Sequence, residues 1–311
     1  MRKISLVLIF IFINFTCLSN ANEKILIKFK INEDLITNYD IIKESKYLMA
    51  LNKDLVGMDE NLLLKFAQDS LIKEKVKKYE IEKYYKINYE SESANIFIKN
   101  FMKNLKIKNE TDFENYLSTY ETSIKEIKRK LLVEQAWNNM ILDIYENRVS
   151  INEKKISKTL EELIKNKKNQ KSFELYELVF LEKSKKDLQE KYEEIILSIK
   201  NIGFKKTALI HSISSTAKQN GKIGWVNQNQ LTQKISVELK NLDIGSYTKP
   251  INSAGGTIIL YINNIKEVSI QDINKELELS KIISAEKNRQ LNEFSVIHYK
   301  KTENKSYVKK F

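Results

Sequence analysis

Ser215-Thr216-Ala217-Lys218-Gln219-Asn220-Gly221-Lys222-Ile223-Gly224-Trp225-Val226 is the stretch whose reading decides the fold. Its two glycines punctuate a turn, and the run sits inside a window unlike the rest of the chain. Gly203, Gly221, Gly224, Gly245, Gly255, Gly256 and Pro250 all fall in that window, and only Gly57 lies outside it. Turn-rich structure is therefore confined there, with helix-compatible sequence on both sides. Upstream, Phe173-Glu174-Leu175-Tyr176-Glu177-Leu178-Val179-Phe180 predicts a strand, and residues 184–200 an amphipathic helix. A short helix near Phe204 follows. Downstream the pattern predicts a helix over residues 230–239 and strands around residues 245–250 and 257–262. These pieces make an α+β module of roughly a hundred residues, a usual domain size.

Outside the module the periods are mostly helical. The exception is the start, where Ile25, Ile27, Phe29 and Ile31 alternate as in a strand. Asn32-Glu33-Asp34 then predicts a turn, and Thr37-Asn38-Tyr39-Asp40 opens a helix toward Leu51. Leu64, Ala67, Leu71, Ile72 and Val76 form a helical stripe. Capping-box spacing recurs at Thr111–Glu114, Ser123–Glu126 and Ser150–Glu153, the last ahead of a helix to about Lys165. Past the module, residues 270–292 read as helix. Phe294-Ser295-Val296-Ile297-His298-Tyr299 is β-prone and predicted to pair with the strand at residues 24–31. The C-terminal segment would then complete the N-terminal domain, and the module would be an insertion.

Composition excludes several functions. One Cys and two His among 311 residues leave no zinc-ligand spacing, and no metal or cofactor is implied. The net charge of +12 comes from 53 Lys+Arg against 41 Asp+Glu, yet only Arg2, Arg129, Arg148 and Arg289 are Arg. Nucleic-acid recognition favours the bidentate Arg fork, so the excess reads as a solvated lysine surface. The first residues carry an export signal: basic Arg2-Lys3, an apolar run over residues 4–13, and the small-x-small site Ser19-Asn20-Ala21. Cleavage after Ala21 removes Cys17 and leaves a cysteine-free protein, expected in the periplasm without stable membrane insertion. Retention of residues 1–21 would instead make it membrane-anchored.

With these elements in place the chain resembles the SurA-like family of periplasmic chaperones, which join a helical chaperone domain to parvulin-type peptidyl-prolyl isomerase domains. The resemblance runs through residues 31–40, through Leu71-Ile72-Lys73-Glu74-Lys75-Val76, and through residues 111–141. Within the module it is carried by the opening stretch, by residues 242–251, and by Gly255-Gly256-Thr257-Ile258-Ile259. It implies an α+β fold with residues 1–21 as signal peptide and residues 22–170 as a mostly helical chaperone domain. Residues 171–267 would be one inserted parvulin-like domain. Residues 268–311 would be a C-terminal helix and strand packed on the first domain.

The resemblance also marks a site. Glu177 and Thr257 stand where the family has its two His, and Ser214 where it has a Cys or Asp. Leu231 and Ile235 replace the Met and Phe of the proline pocket. Isomerisation requires hydrogen bonds that favour the twisted amide in an apolar setting. The substituted set implies a module that binds peptide with weak or absent isomerase activity. His211 and His298 are expected to be structural. The implied function is a periplasmic chaperone that holds unfolded outer-membrane or other exported proteins. The alternative is an active isomerase with a non-standard site.

Overall fold

The computed structural model describes residues 24–165, 170–182, 184–268 and 274–311. The expected signal peptide lies outside them. β1 (Ile27–Ile31) and β2 (Asp34–Thr37) form a hairpin through Asn32 at φ 51°. Thr37 then starts α1 (Asn38–Leu51): its Oγ1 accepts from Asp40 N at 3.1 Å, and the Asp40 carboxylate accepts from Thr37 N at 2.8 Å. α2 (Glu60–Ile81), α3 (Ala94–Asn104), α4 (Glu110–Ser118), α5 (Ile124–Tyr145) and α6 (Glu153–Lys165) complete the first part of the chain.

Two of the expected caps move. Asn109 caps α4 by accepting from Asp112 N at 2.8 Å, so Thr111 lies inside the helix. Asn is at least as good a cap as Thr and comes first along the chain. For α6, Asn152 accepts from Lys155 N at 2.9 Å, while Ser150 N donates to Gln290 Oε1. Ser123 caps α5 as its spacing implies.

The module begins with β3 (Gln170–Phe180), followed by α7 (Lys185–Ile202), α8 (Phe204–His211), β4 (Lys222–Asn227), α9 (Gln233–Lys240), β5 (Ile251–Ser253) and β6 (Gly256–Val268). Its antiparallel sheet has the order β4-β3-β6-β5. β3 is apolar on both faces because both are covered. Tyr176, Leu178 and Phe180 pack with Ile195, Phe204 and Ala208 of α7 and α8. Phe173 and Leu175 pack on the other face with Leu239 of α9. The strand expected at 245–250 is only partly regular. Gly245 N and Thr248 N donate to β6, and Tyr247 bridges Tyr261, but the paired strand starts at Ile251. Pro250 lacks the N–H that a continuous ladder needs.

α10 (Lys275–Lys305) and β7 (Val308–Lys310) return to the body. β7 pairs with β1, placing Lys310 opposite Phe29 and Val308 opposite Ile31, in a three-stranded sheet of order β2-β1-β7. The chain ends do meet, but through a later segment than expected. Phe294–Tyr299 is helix, not strand. Phe294 stacks on Tyr145, Ser295 accepts from Trp137 Nε1 at 2.9 Å, and His298 lies edge-on to Trp137. Neighbours at helical spacing meet α5 on one face, and this packing overrides the β preference of the residues. Helix α10 thus runs beyond residue 292, and Ile270 lies outside the described residues.

The fold is α+β: a helical body completed by α10 and β7, with one inserted parvulin-like α+β module. Both ends of the insertion lie together, since Gln170 pairs opposite Val268 and Lys275 Nζ meets Glu161 Oε1 at 2.7 Å. Among the described residues no helix is long and apolar enough to cross a membrane.

The loop after Ser214 seats the module on the body. Lys218 Nζ reaches Glu134 of α5 at 2.7 Å, and Asn220, at φ 59°, bonds Asn52 at 2.7 Å and Asp54 at 2.6 Å. Glu134 also holds Lys77 at 2.7 Å. Burial alone would raise the Glu134 carboxyl, but the Lys77 and Lys218 ammoniums outweigh it and hold the group well below the usual carboxylate range. Its contribution is therefore complete above the unfolded value of about 4.3 and is lost only as pH falls toward the depressed one. Glu134→Ala should lower stability at pH 7 by about 2 kcal/mol, less than for a fully dry pair because Lys218 meets water. The difference from wild type should shrink as the pH drops below about 4; denaturant melts at pH 7 and pH 3 check both.

Candidate functional site

The site lies on the α9 face of the module sheet. Alternation along β3 points Glu177 and Val179 to this face, with Leu260 opposite Glu177 and Ile258 opposite Val179 on β6. Helix α9, capped by Thr232, brings Ile235 over them, and β5 adds Ile251. Glu177, Val179, Ser214, Ile235, Ile251 and Ile258 line the module side of a cavity of about 370 Å³. The C-terminal helix α10 lines its outer side.

Ser214 and Thr216 reach Glu177 from the loop after α8. The Ser214 hydroxyl donates to Glu177 Oε1, and Thr216 Oγ1 donates to the same oxygen at 2.8 Å. The two hydroxyls lie 2.9 Å apart. Gly221 makes this arrangement possible. Its carbonyl accepts from Glu177 N at 2.7 Å, and its φ of +77° is a conformation that L side chains rarely adopt. A Cβ there would stand 2.1 Å from the Glu177 carbonyl oxygen.

Burial pushes the Glu177 carboxyl above its ordinary value, and the bonds from Ser214 and Thr216 only partly oppose this. Because the folded value lies above the unfolded one, the stabilising contribution is full below the unfolded value and lost as pH rises through the folded one. Glu177→Gln, which keeps a carbonyl acceptor for both hydroxyls, should therefore stabilise the module at pH 8 by about 1 kcal/mol. Relative to this variant, wild type should gain stability as the pH is lowered toward 5. Module unfolding followed by Trp225 fluorescence at pH 5 and pH 8 checks the sign.

The other sequence-marked residues are distributed differently. Ile235 lines the cavity with Glu177 and Ser214. Leu231 packs in the same α9-side core but opens onto a second cavity, beside Ile282 and Glu286. Thr257 is fully buried opposite Phe180, and its hydroxyl donates to Glu182 at 2.9 Å rather than joining Glu177. The register places it on the other side of the sheet from Glu177. His211 ends α8 with Nδ1 3.9 Å from Glu194, and burial pushes its pKa down. His298 is buried in the body, between Tyr145 at 3.0 Å and Glu80 at 3.2 Å. Thr216 was not singled out from sequence, although its place two residues after Ser214 was a usable signal. The α10 wall had no local signal at all.

Comparison with known proteins fits this geometry. Residues 173–264 match the family described as Rotamase: PPIC-type PPIASE domain. The periplasmic chaperone PpiD of Haemophilus influenzae is 27% identical over 95 residues, 30% of this chain and 15% of that protein. The chaperone SurA of Hahella chejuensis is 21% identical over 145 residues, 44% of this chain and 32% of that protein. The chain thus matches less than a third of the length of either relative. Among solved structures, one from a report of two SurA-like chaperones of Campylobacter jejuni is 15% identical, covering 92% of this chain and 98% of that one at a TM-score of 0.39. A PpiC-type isomerase domain is 25% identical, covering 31% of this chain and 93% of that one at a TM-score of 0.28. Residues 173–264 thus match a PPIC-type parvulin domain, and the chain that carries them is similar to the SurA-like chaperones.

Proposed function

We propose that this protein is an exported, periplasmic chaperone that holds unfolded outer-membrane proteins, with a parvulin module that binds polypeptide but isomerises it weakly or not at all. In this proposal residues 1–21 are a cleaved signal peptide, 22–170 and 268–311 the chaperone body, and 171–267 the module. The observation that carries the reading is the Glu177 cluster. A buried carboxylate whose Oε1 takes bonds from Ser214 and Thr216 faces an aliphatic cavity, with Thr257 turned away. Such a wall favours burial of an apolar segment. In the ground state the hydroxyls already serve Glu177, leaving less donor capacity for a twisting amide. Holding requires no reaction: it needs apolar surface that captures unfolded chains and lowers the concentration free to aggregate.

A second reading starts from the geometry at Glu177, whose carboxyl lines the cavity beside the Ser214 and Thr216 hydroxyls and is pushed above its ordinary value by burial. Prolyl isomerisation of a short peptide distinguishes the two, since the uncatalysed reaction takes about tens to hundreds of seconds at 25 °C. The proposal expects at most a marginal acceleration at micromolar protein. A strong acceleration that is lost in both Glu177→Ala and Ser214→Ala would establish the enzyme instead.

A further inference from the structure

The cavity at Glu177 does not belong to the module alone. Its outer side is formed by Arg289, Asn292, Glu293 and Val296, four residues on one face of α10. We propose that the site is composite: α10 is its second wall, and an uncharged segment centred on proline or a small aliphatic residue is held between helix and module. This deepens the proposed function and rests on its reading that the module binds polypeptide.

Three observations carry the inference. The first is space. With α10 in place about 370 Å³ remains, within the range of pre-formed ligand sites of about 300–1,000 Å³. A cover packed against an unused groove would leave little room.

The second is charge. The guanidinium of Arg289 donates to Glu286 at 2.7 and 2.8 Å and to Glu293 at 2.7 Å, so its charge is already answered. Lys234 donates to the Asn252 carbonyl at 3.2 Å from an exposed position. Val179, Ile235, Ile251, Ile258 and Val296 make the remaining surface largely apolar. Against these walls a proline ring or aliphatic side chain gains by burial, while Arg289, already paired with Glu286 and Glu293, offers an entering acidic group no counter-ion.

The third is that the wall is fixed from both sides. Toward the module, Ser215 Oγ donates to Asn292 Oδ1 at 3.2 Å, and Gly255 lies against Glu293 so closely that an added Cβ would sit 3.2 Å from its Cα. Toward the body, Trp137 Nε1 holds Ser295 at 2.9 Å and His298 bonds Tyr145 and Glu80.

The test uses the full mature chain and a fluorescent, end-blocked Ala-Ala-Pro-Leu peptide, with binding read by anisotropy. Val296→Trp fills the cavity from the helix, and Ile235→Trp fills it from the module. Each should weaken binding at least tenfold. In a third variant, Gly255→Cys with Glu293→Cys, the added Cβ stands 3.4 Å from that of residue 293, close to the disulfide range of about 3.5–4.5 Å. The mature chain has no other cysteine, since Cys17 precedes Ala21. This variant should bind equally well oxidised and reduced, because the helix does not have to leave. Unchanged binding by Val296→Trp together with loss in Ile235→Trp would place the site in the module alone and overturn the proposal. Loss of binding on oxidation, restored by reduction, would make α10 a lid and overturn it as well. Absence of binding by wild type would overturn the peptide-binding part of the proposed function along with this inference.

Discussion

Trp137→Ala is expected to destabilise the helical body by about 3–5 kcal/mol, the range for deleting a fully buried aromatic side chain. Trp137, with Tyr145, is a residue through which α5 grips the C-terminal helix. It packs with Ile81, Val133, Met140 and Ile141, lies edge-on to His298 and Tyr299, and donates to Ser295. Its removal leaves a large cavity and an unanswered Ser295 hydroxyl at the same point. The loss should appear as a lower denaturant midpoint and as faster amide exchange along α10. A loss under about 1 kcal/mol would mean that the body does not depend on this junction.

Gly221→Ala should be about as damaging, but to the module. The substitution adds strain at φ +77° to a clash with the Glu177 carbonyl, an atom fixed in the centre of the sheet. Together these are expected to cost about 3 kcal/mol or more. Gly203→Ala is the comparison: its backbone, at φ 82° and ψ 160°, is one that glycine almost alone adopts, but nothing lies within 4 Å of its Cβ position, so strain without a clash should cost about 1–3 kcal/mol. Equal losses at the two positions would show that the approach of Gly221 to Glu177 does not matter. A selective loss at Gly221 should also remove peptide binding, because the strand carrying Glu177 would shift.

The α+β class and the insertion were legible because they rest on local signals. Glycine clustering separated the module, and the alternation along β1 and the short apolar run of β3 marked strands that the sheets contain. The terminal strand was misplaced because Phe294–Tyr299 is β-prone by composition, while its conformation is set by Trp137 and Tyr145, about 150 residues away in sequence. At the site, Glu177 and Ser214 could be paired from the resemblance, and the structure brings them together. Thr257 could not be placed the same way, since its direction depends on a register in which it opposes Phe180. The α10 side of the cavity was invisible for a different reason. Arg289 reads as an ordinary helix position and Val296 as part of a β-prone end, and only the docking of the inserted module on the continuous α10 gives them a cavity to line.

The central claim is that client holding resides in the body and needs no chemistry from the module. The most direct measurement is aggregation of a urea-unfolded outer-membrane β-barrel protein, diluted into buffer with a chain joining residues 22–170 directly to 268–311. The adjacent ends of the insertion, with Lys275 against Glu161, make this junction short. The account predicts that light scattering is suppressed at near-stoichiometric ratios, as it is by the whole mature protein. A shortened chain that is folded by circular dichroism yet leaves scattering unchanged, while the whole protein suppresses it, would contradict the claim and move the holding function into the module.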